Sequence, residues 1–306
     1  MTAEPQLQEI ADGVHAWIQP DGTWWISNAG AVHSDGEVVL IDTCATARRT
    51  RLFLDAVDKA TGGAPIRLAV NTHLHGDHVY GNAMLPDSTV IVAQEHTRQG
   101  ILHDFILTNT PPAWSPAPDW GFDAVRAPTV SFRDEITLHA GSKSVVVRHP
   151  GYAAHTVGDA VAWLPEERVL FTADLVFHQI TPMIAMGSLT GALRSLDWLA
   201  SFDAAVVIPG HGPLVPGSEF AEVLAAHRRY YELIRDVAVA GREKGWTPLE
   251  AARDTDLGEF ADLPDAERLV LNLHRAYADA DGTDISIPAA LGDAIAYNGG
   301  PLACSV

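Results

Sequence analysis

The segment Asn71-Thr72-His73-Leu74-His75-Gly76-Asp77-His78 places three imidazoles and a carboxylate within six positions, directly after the apolar run Leu68-Ala69-Val70. Imidazoles and carboxylates are costly to bury without partners, so this density at the carboxyl end of a strand points to metal ligation rather than packing. If the backbone stays extended, His73 and His75 face the same side. A turn at Gly76 then brings Asp77 and His78 round to face a second ion. Three further candidates lie downstream: His155 in Pro150-Gly-Tyr-Ala-Ala-His155-Thr-Val-Gly-Asp159, Asp174 at the end of Val169-Leu-Phe-Thr-Ala-Asp174, and His211 at the end of Val206-Val-Ile-Pro-Gly-His211. Taken singly, His211 reads as an exposed turn residue and Asp174 as a helix N-cap. Jointly, five histidines and two aspartates after or between apolar strands are the donor set of two borderline divalent ions.

This chain resembles the metallo-β-lactamase superfamily, whose H-x-H-x-D-H signature is present as His73, His75, Asp77 and His78, followed in the family's order by His155, Asp174 and His211. The resemblance covers residues 10 to 216 and includes the strand-turn motif Leu40-Ile41-Asp42-Thr43. It implies an α/β fold, an αββα sandwich of two mixed sheets packed face to face with helices outside, occupying residues 1–216. It further implies that one ion takes His73, His75 and His155, the other Asp77, His78 and His211, with Asp174 bridging. Zinc is the first expectation, and manganese and iron accept the same donors. Asp42 and Thr156 are candidates to orient ligand imidazoles, or else to satisfy strand-end amides.

Two such ions share a water, lower its pKa and polarise the bond under attack. The resemblance thus implies a dinuclear hydrolase in which a metal-bridging hydroxide attacks the carbonyl of an ester, thioester, lactone or amide. Asp77 is the candidate catalytic residue that positions the hydroxide and relays its proton. The alternative on the same scaffold is an iron-dependent oxygen- or sulfur-handling enzyme. Departures from subgroup patterns narrow the field. Asp174 stands where dinuclear β-lactamases carry Cys or Ser. Leu175-Val176-Phe177-His178 replaces the Gly-Cys-Gly-Arg run of glyoxalase II, and Phe177 replaces the lactonase tyrosine. His178 is a second candidate catalytic residue, placed to donate to an oxyanion or simply a polar neighbour. Trp24, Trp25, Trp114 and Trp120 either rim an apolar pocket suited to an apolar substrate or close a core.

The elements that must position these residues alternate. β-type runs over 13–18, 31–32, 38–41, 68–71 and 90–93 accompany helical patterns over 45–59 and 94–106. In the second half, strands over 144–148, 161–164, 169–172 and 205–208 surround a helix over 189–199. Between the halves, residues 108–128 are rich in Pro and Trp and read as a lid, a pocket-lining segment or a surface loop. From residue 217 the pattern turns helical, over 219–243, 248–252 and 264–280, so residues 217–306 read as a helical extension packed on the catalytic part.

The chain has 306 residues, 47% of them hydrophobic, which excludes intrinsic disorder. Its formal charge of −19 argues against nucleic acid and anionic membranes as partners and leaves a small-molecule substrate, with a homodimer open. The start lacks a basic region followed by an apolar run, and no segment is long and apolar enough to span a bilayer. Cys44 and Cys304 are far apart and offer neither a disulfide framework nor a thiolate zinc site, so a reducing cytoplasm is the expected compartment.

Overall fold

A computed structural model describes residues 4–306. The first six strands are β1 (Gln6–Ala11), β2 (Val14–Ile18), β3 (Ala29–Ser34), β4 (Glu37–Ile41), β5 (Ile66–Asn71) and β6 (Val90–Gln94). After a two-residue β7 (Trp114–Ser115), β8 (Val130–Phe132) completes a seven-stranded sheet of order β1-β2-β3-β4-β5-β6-β8. β9 (Glu135–Ala140), β10 (Lys143–Arg148), β11 (Val161–Leu164), β12 (Val169–Phe177), β13 (Val206–His211) and β14 (Val215–Pro216) form the second sheet, in the reverse of that order. β15 (Leu302–Ala303) pairs parallel with β7 and ties the end of the chain to the segment between the halves.

Period-2 alternation sorts the side chains between layers. In β4, Val39 and Ile41 enter the core between the sheets with Val145, Val147 and Phe171, whereas Val38 and Leu40 face outward. That outer face is covered by α1 (Ala47–Thr61) through Phe53 and Val57. Thr46 caps this helix by accepting from Arg49 N, and Gly62, with φ of 64°, ends it in the left-handed region that glycine adopts without strain.

Two short helices follow, α2 (Gly76–Val79) and α3 (Glu95–Leu102). The outer face of the second sheet is covered by α4 (Leu189–Leu199) and by the C-terminal group α5 (Gly217–Glu243), α6 (Pro248–Arg253), α7 (Arg268–Asp281) and α8 (Ile287–Asn298). Leu170 and Val176 of β12, Leu196 of α4, Tyr231 of α5 and Leu269 of α7 share one core. The architecture is the layered αββα sandwich, with a helical C-terminal region.

Several elements differ from the sequence pattern, three of them helices. The helix expected over 94–106 stops at Leu102, because Asp104 accepts from Leu107 N and from the Tyr80 hydroxyl and so starts a separate turn. The helix expected from residue 264 begins at Arg268, since Asp265 has φ of 60° and cannot continue a helix. α8 had no counterpart in the pattern. Its Pro288 falls in the first turn, where a missing N–H costs nothing, and Ser286 caps it.

Candidate metal centre

All seven residues singled out by spacing converge at one end of the sandwich. β5 delivers the chain to His73 and His75, and a single turn of helix beginning at Gly76 turns Asp77 and His78 back toward the second sheet. Glycine is required there, because a Cβ on Gly76 would run into the Tyr80 ring. Asp77 is fixed through its carbonyl, which accepts from Ser27 Oγ, and the His78 carbonyl accepts from Thr43 N. On the facing sheet the β12–β13 register breaks on both sides of Ala173, whose φ of 47° is strained for a residue with a Cβ. The break leaves the Asp174 side chain turned toward the centre, over Gly210, where a Cβ would collide with its carboxylate.

The donors fall into two groups. His75 Nδ1 lies 3.2 Å from His73 Nε2 and 2.9 Å from His155 Nε2. In the second group, Asp77 Oδ2 lies 3.2 Å from His211 Nε2 and 3.8 Å from His78 Nε2. Asp174 reaches both. Its Oδ2 is 3.2 Å from His155 Nε2, 3.6 Å from His73 Nε2 and 3.4 Å from His211 Nε2, while Oδ1 is 3.1 Å from His78 Nε2. Ligand atoms about 2.1 Å from a tetrahedral ion stand roughly 3.4 Å from one another, the range these separations occupy.

The outward nitrogens are held. Asp42 Oδ2 accepts from His78 Nδ1 at 2.9 Å, and Asp42 is itself anchored by Thr72 N and Thr72 Oγ1. Met183 O accepts from His155 Nδ1 at 2.7 Å, and Gly22 O from His211 Nδ1 at 2.8 Å. These contacts leave His78, His155 and His211 with Nε2 facing inward. Thr156 takes no part in this: its hydroxyl and amide both donate to Asp159, which also accepts from His155 N and closes the loop.

Electrostatics fit a cation site. Burial opposes ionisation of Asp174, yet the His211, His78, His73 and His155 imidazoles hold it well below the usual carboxylate range. Burial likewise opposes a charged His211, but Asp174 and Asp77 lift it to about 9. Burial and the neighbouring His155 push His75 down to about 3. His78 Nε2 and Asp174 Oδ1, though close, lie outside hydrogen-bonding geometry, and neither has a hydrogen-bond partner among the described residues. Buried polar atoms are rarely left so, and a donor set of imidazole and carboxylate facing such orphans fits divalent cations.

Residues 22–211 match the family profile described as the metallo-beta-lactamase superfamily. The chain belongs to that superfamily. Among curated superfamily relatives, it is 29% identical over 259 residues to a linear primary-alkylsulfatase of a Pseudomonas species, covering 72% of this chain and 48% of the relative. It is 26% identical over 219 residues to the 2,4-dinitroanisole O-demethylase subunit alpha of a Nocardioides species, covering 69% of this chain and 57% of the relative. The chain therefore spans about half the length of the curated relatives it matches. Among solved structures, a metallo-beta-lactamase from Pontibacter korlensis superposes with a TM-score of 0.58 at 23% identity, over 74% of this chain and 99% of its own. The stereoselective inverting sec-alkylsulfatase Pisa1 from a Pseudomonas species superposes with a TM-score of 0.70 at 21% identity, over 93% of this chain and 51% of its own.

The superfamily scaffold opens here into a cavity of about 70 Å³ lined by His75, Asp77, Asp174 and His211 and walled by apolar side chains. Trp24, Trp25 and Trp114 line it, whereas Trp120 packs behind against Trp25 and Tyr80. His178 is not brought to the centre: β12 continues to Phe177, and His178 then turns outward to Pro213 O and lines a different cavity. Sequence reasoning passed over Arg268, Leu271, Ile287 and Leu291, which the C-terminal helices bring to the cavity wall. Leu271 fell within the helical pattern over 264–280 and Ile287 and Leu291 within none, and nothing local signalled the cavity. A groove of about 930 Å³ between β1 and α1, lined by Arg48, Arg49 and Lys59, lies apart and holds none of the seven. Burial pushes the Cys44 thiol up to about 12, in keeping with a buried, unreactive side chain.

Proposed function

We propose that His73, His75 and His155 hold one divalent metal ion, that Asp77, His78 and His211 hold a second, and that Asp174 is shared between them. Zinc suits this donor set first, with manganese and iron as the other candidates. On this reading the chain hydrolyses an ester bond carried on an apolar group. Residues 1–216 would be its catalytic unit and 217–306 a helical extension that completes the pocket. The observation that carries the proposal is the position of Asp174, within 3.1 to 3.6 Å of ring nitrogens from both groups.

Two ions held by these residues would supply water activated at neutral pH and polarisation of the bond under attack. The protein does the rest. Asp77, buried at the cavity wall, orients the attacking water and takes its proton. Asp42, Met183 O and Gly22 O keep the His78, His155 and His211 rings from turning. Trp24, Ile106, Leu271 and Leu291 receive the apolar group and exclude bulk water. A relative named for alkyl sulfates widens the candidate bonds from carboxylic to sulfate esters.

The test is metal analysis of supplemented protein, together with chelator-sensitive turnover of an aryl ester, an acyl thioester, a long-chain lactone and an alkyl sulfate. About two ions per chain and metal-dependent turnover of one bond type are expected. No bound metal would overturn the site. Two ions without turnover of any member would overturn the ester reading.

A further inference from the structure

We infer that the cavity beside the metal centre contains a subsite for the negatively charged head of the substrate, built from Arg268, Trp25 and Trp114, so that the preferred ester is a monoanionic one such as an alkyl or aryl sulfate. This inference rests on the ester-hydrolase reading above and narrows it.

The three side chains line the same cavity as His75, Asp77, Asp174 and His211, and all are buried, at 2%, 7% and 5% exposure. Each carries a buried N–H that has no acceptor among the described residues: Arg268 Nε, Trp25 Nε1 and Trp114 Nε1. Buried donors are almost always satisfied, so three orphan N–H groups on residues that line one cavity point to an acceptor that arrives with the ligand. Neighbouring indoles show the contrast. Trp24 Nε1 donates to Glu267 Oε1 at 2.6 Å and Trp120 Nε1 to Thr110 Oγ1 at 2.7 Å.

Arg268 is held in place. Nη1 donates to Thr181 O at 3.0 Å, Nη2 lies 2.7 Å from Asp265 Oδ2, and the guanidinium centre sits 4.7 Å from the Trp24 ring and 5.5 Å from the Phe177 ring. Asp265 offsets part of the charge but leaves Nε free. Trp25 is fixed at φ of 68°, a strained conformation for a bulky residue and one that accumulates at functional sites. A sulfate ester offers three terminal oxygens and one negative charge to three donors, one of them cationic. The carbonyl of a neutral carboxylic ester would leave donors unanswered.

The test uses metal-loaded protein and calorimetric titration with hexane-1-sulfonate, which cannot be hydrolysed, and with hexan-1-ol. The sulfonate should bind at least about tenfold more tightly than the alcohol. Arg268→Gln should weaken sulfonate binding about tenfold, and Trp114→Phe, which keeps the ring and removes the donor, several-fold. Alcohol binding should change less than about threefold in either. Equal affinities for the two ligands, or variants that weaken both alike, would overturn the subsite. If Arg268→Gln does not fold, Trp114→Phe decides. Hexyl phosphate as a third ligand separates a preference for the sulfate monoanion from binding of any oxyanion, and phosphate binding as tightly as sulfonate would overturn the stated substrate class. Failure of the hydrolase reading is read separately, from metal content and ester turnover of the wild-type protein.

Discussion

Asp42 sits in the left-handed region with φ of 59° and spends its carboxylate on Thr72 N, Thr72 Oγ1 and His78 Nδ1, so it joins the end of β5 to one imidazole of the centre. Asp42→Asn keeps the size but loses one charged acceptor. It should weaken metal binding about 10- to 100-fold by competitive chelator titration, and unchanged affinity would remove Asp42 from that role. A second expectation concerns protons. In metal-free protein the pKa of His211 is raised from 6.5 to about 9, burial being outweighed by Asp174 and Asp77. A raised pKa gives stability that is fully present below 6.5 and lost as pH rises through 9. Thermal unfolding of chelated protein should therefore fall in midpoint from pH 6.5 to 9, while metal affinity climbs because the competing proton leaves. His211→Gln should flatten that slope, and an equally steep slope in the variant would assign it elsewhere. The seven residues of the centre were legible in the sequence because four of them crowd into six positions, Asp174 and His211 end apolar runs, and His155 lies in a Pro-Gly loop ahead of a strand. Arg268 was not, because its role depends on Thr181 O and Trp24, which only the fold brings to it.

At the scale of elements, α7 acts on the centre from a distance. Asn272 Oδ1 accepts from Ile184 N at 2.8 Å and Asn272 Nδ2 donates to Pro182 O at 2.8 Å, pinning both sides of Met183, whose carbonyl holds His155. Asn272 is fully buried, so Asn272→Ala leaves two backbone groups unanswered at a cost of about 1–3 kcal/mol each. The expected result is a lower unfolding midpoint together with weaker metal retention. A lower midpoint with full metal affinity would confine α7 to a stabilising role. The helical character of this region was readable from three- and four-residue spacing, but not its use. Periodicity says that a face is buried and is silent on whether the neighbour is core or cavity. The same limit explains β12, which was expected to end near Thr172. Its buried residues run to Phe177 through a register break that no local pattern marks.

At the scale of the whole molecule, the centre joins the two sheets: His73, His75, Asp77 and His78 follow β5 of one, and Asp174 and His211 belong to the other. Ions bound between them would link the halves, so chelation should lower the unfolding midpoint, by an amount that grows with free metal concentration in the way a ligand specific to the folded state requires. A midpoint indifferent to chelator would leave the sandwich to its hydrophobic core alone. The formal charge of −19 sets a further condition on an anionic substrate, because the surface repels what the cavity is inferred to bind. Exposed charges are screened beyond about 10 Å at 0.1 M salt, whereas a buried guanidinium is screened much less. Raising ionic strength from 10 to 200 mM, in about that range, should therefore increase kcat/KM for an alkyl sulfate several-fold, through faster approach, and leave a neutral aryl ester unchanged. A fall with salt would mean that attraction at the cavity mouth outweighs the acidic surface, and the cations responsible would then have to be sought around the cavity rather than within it.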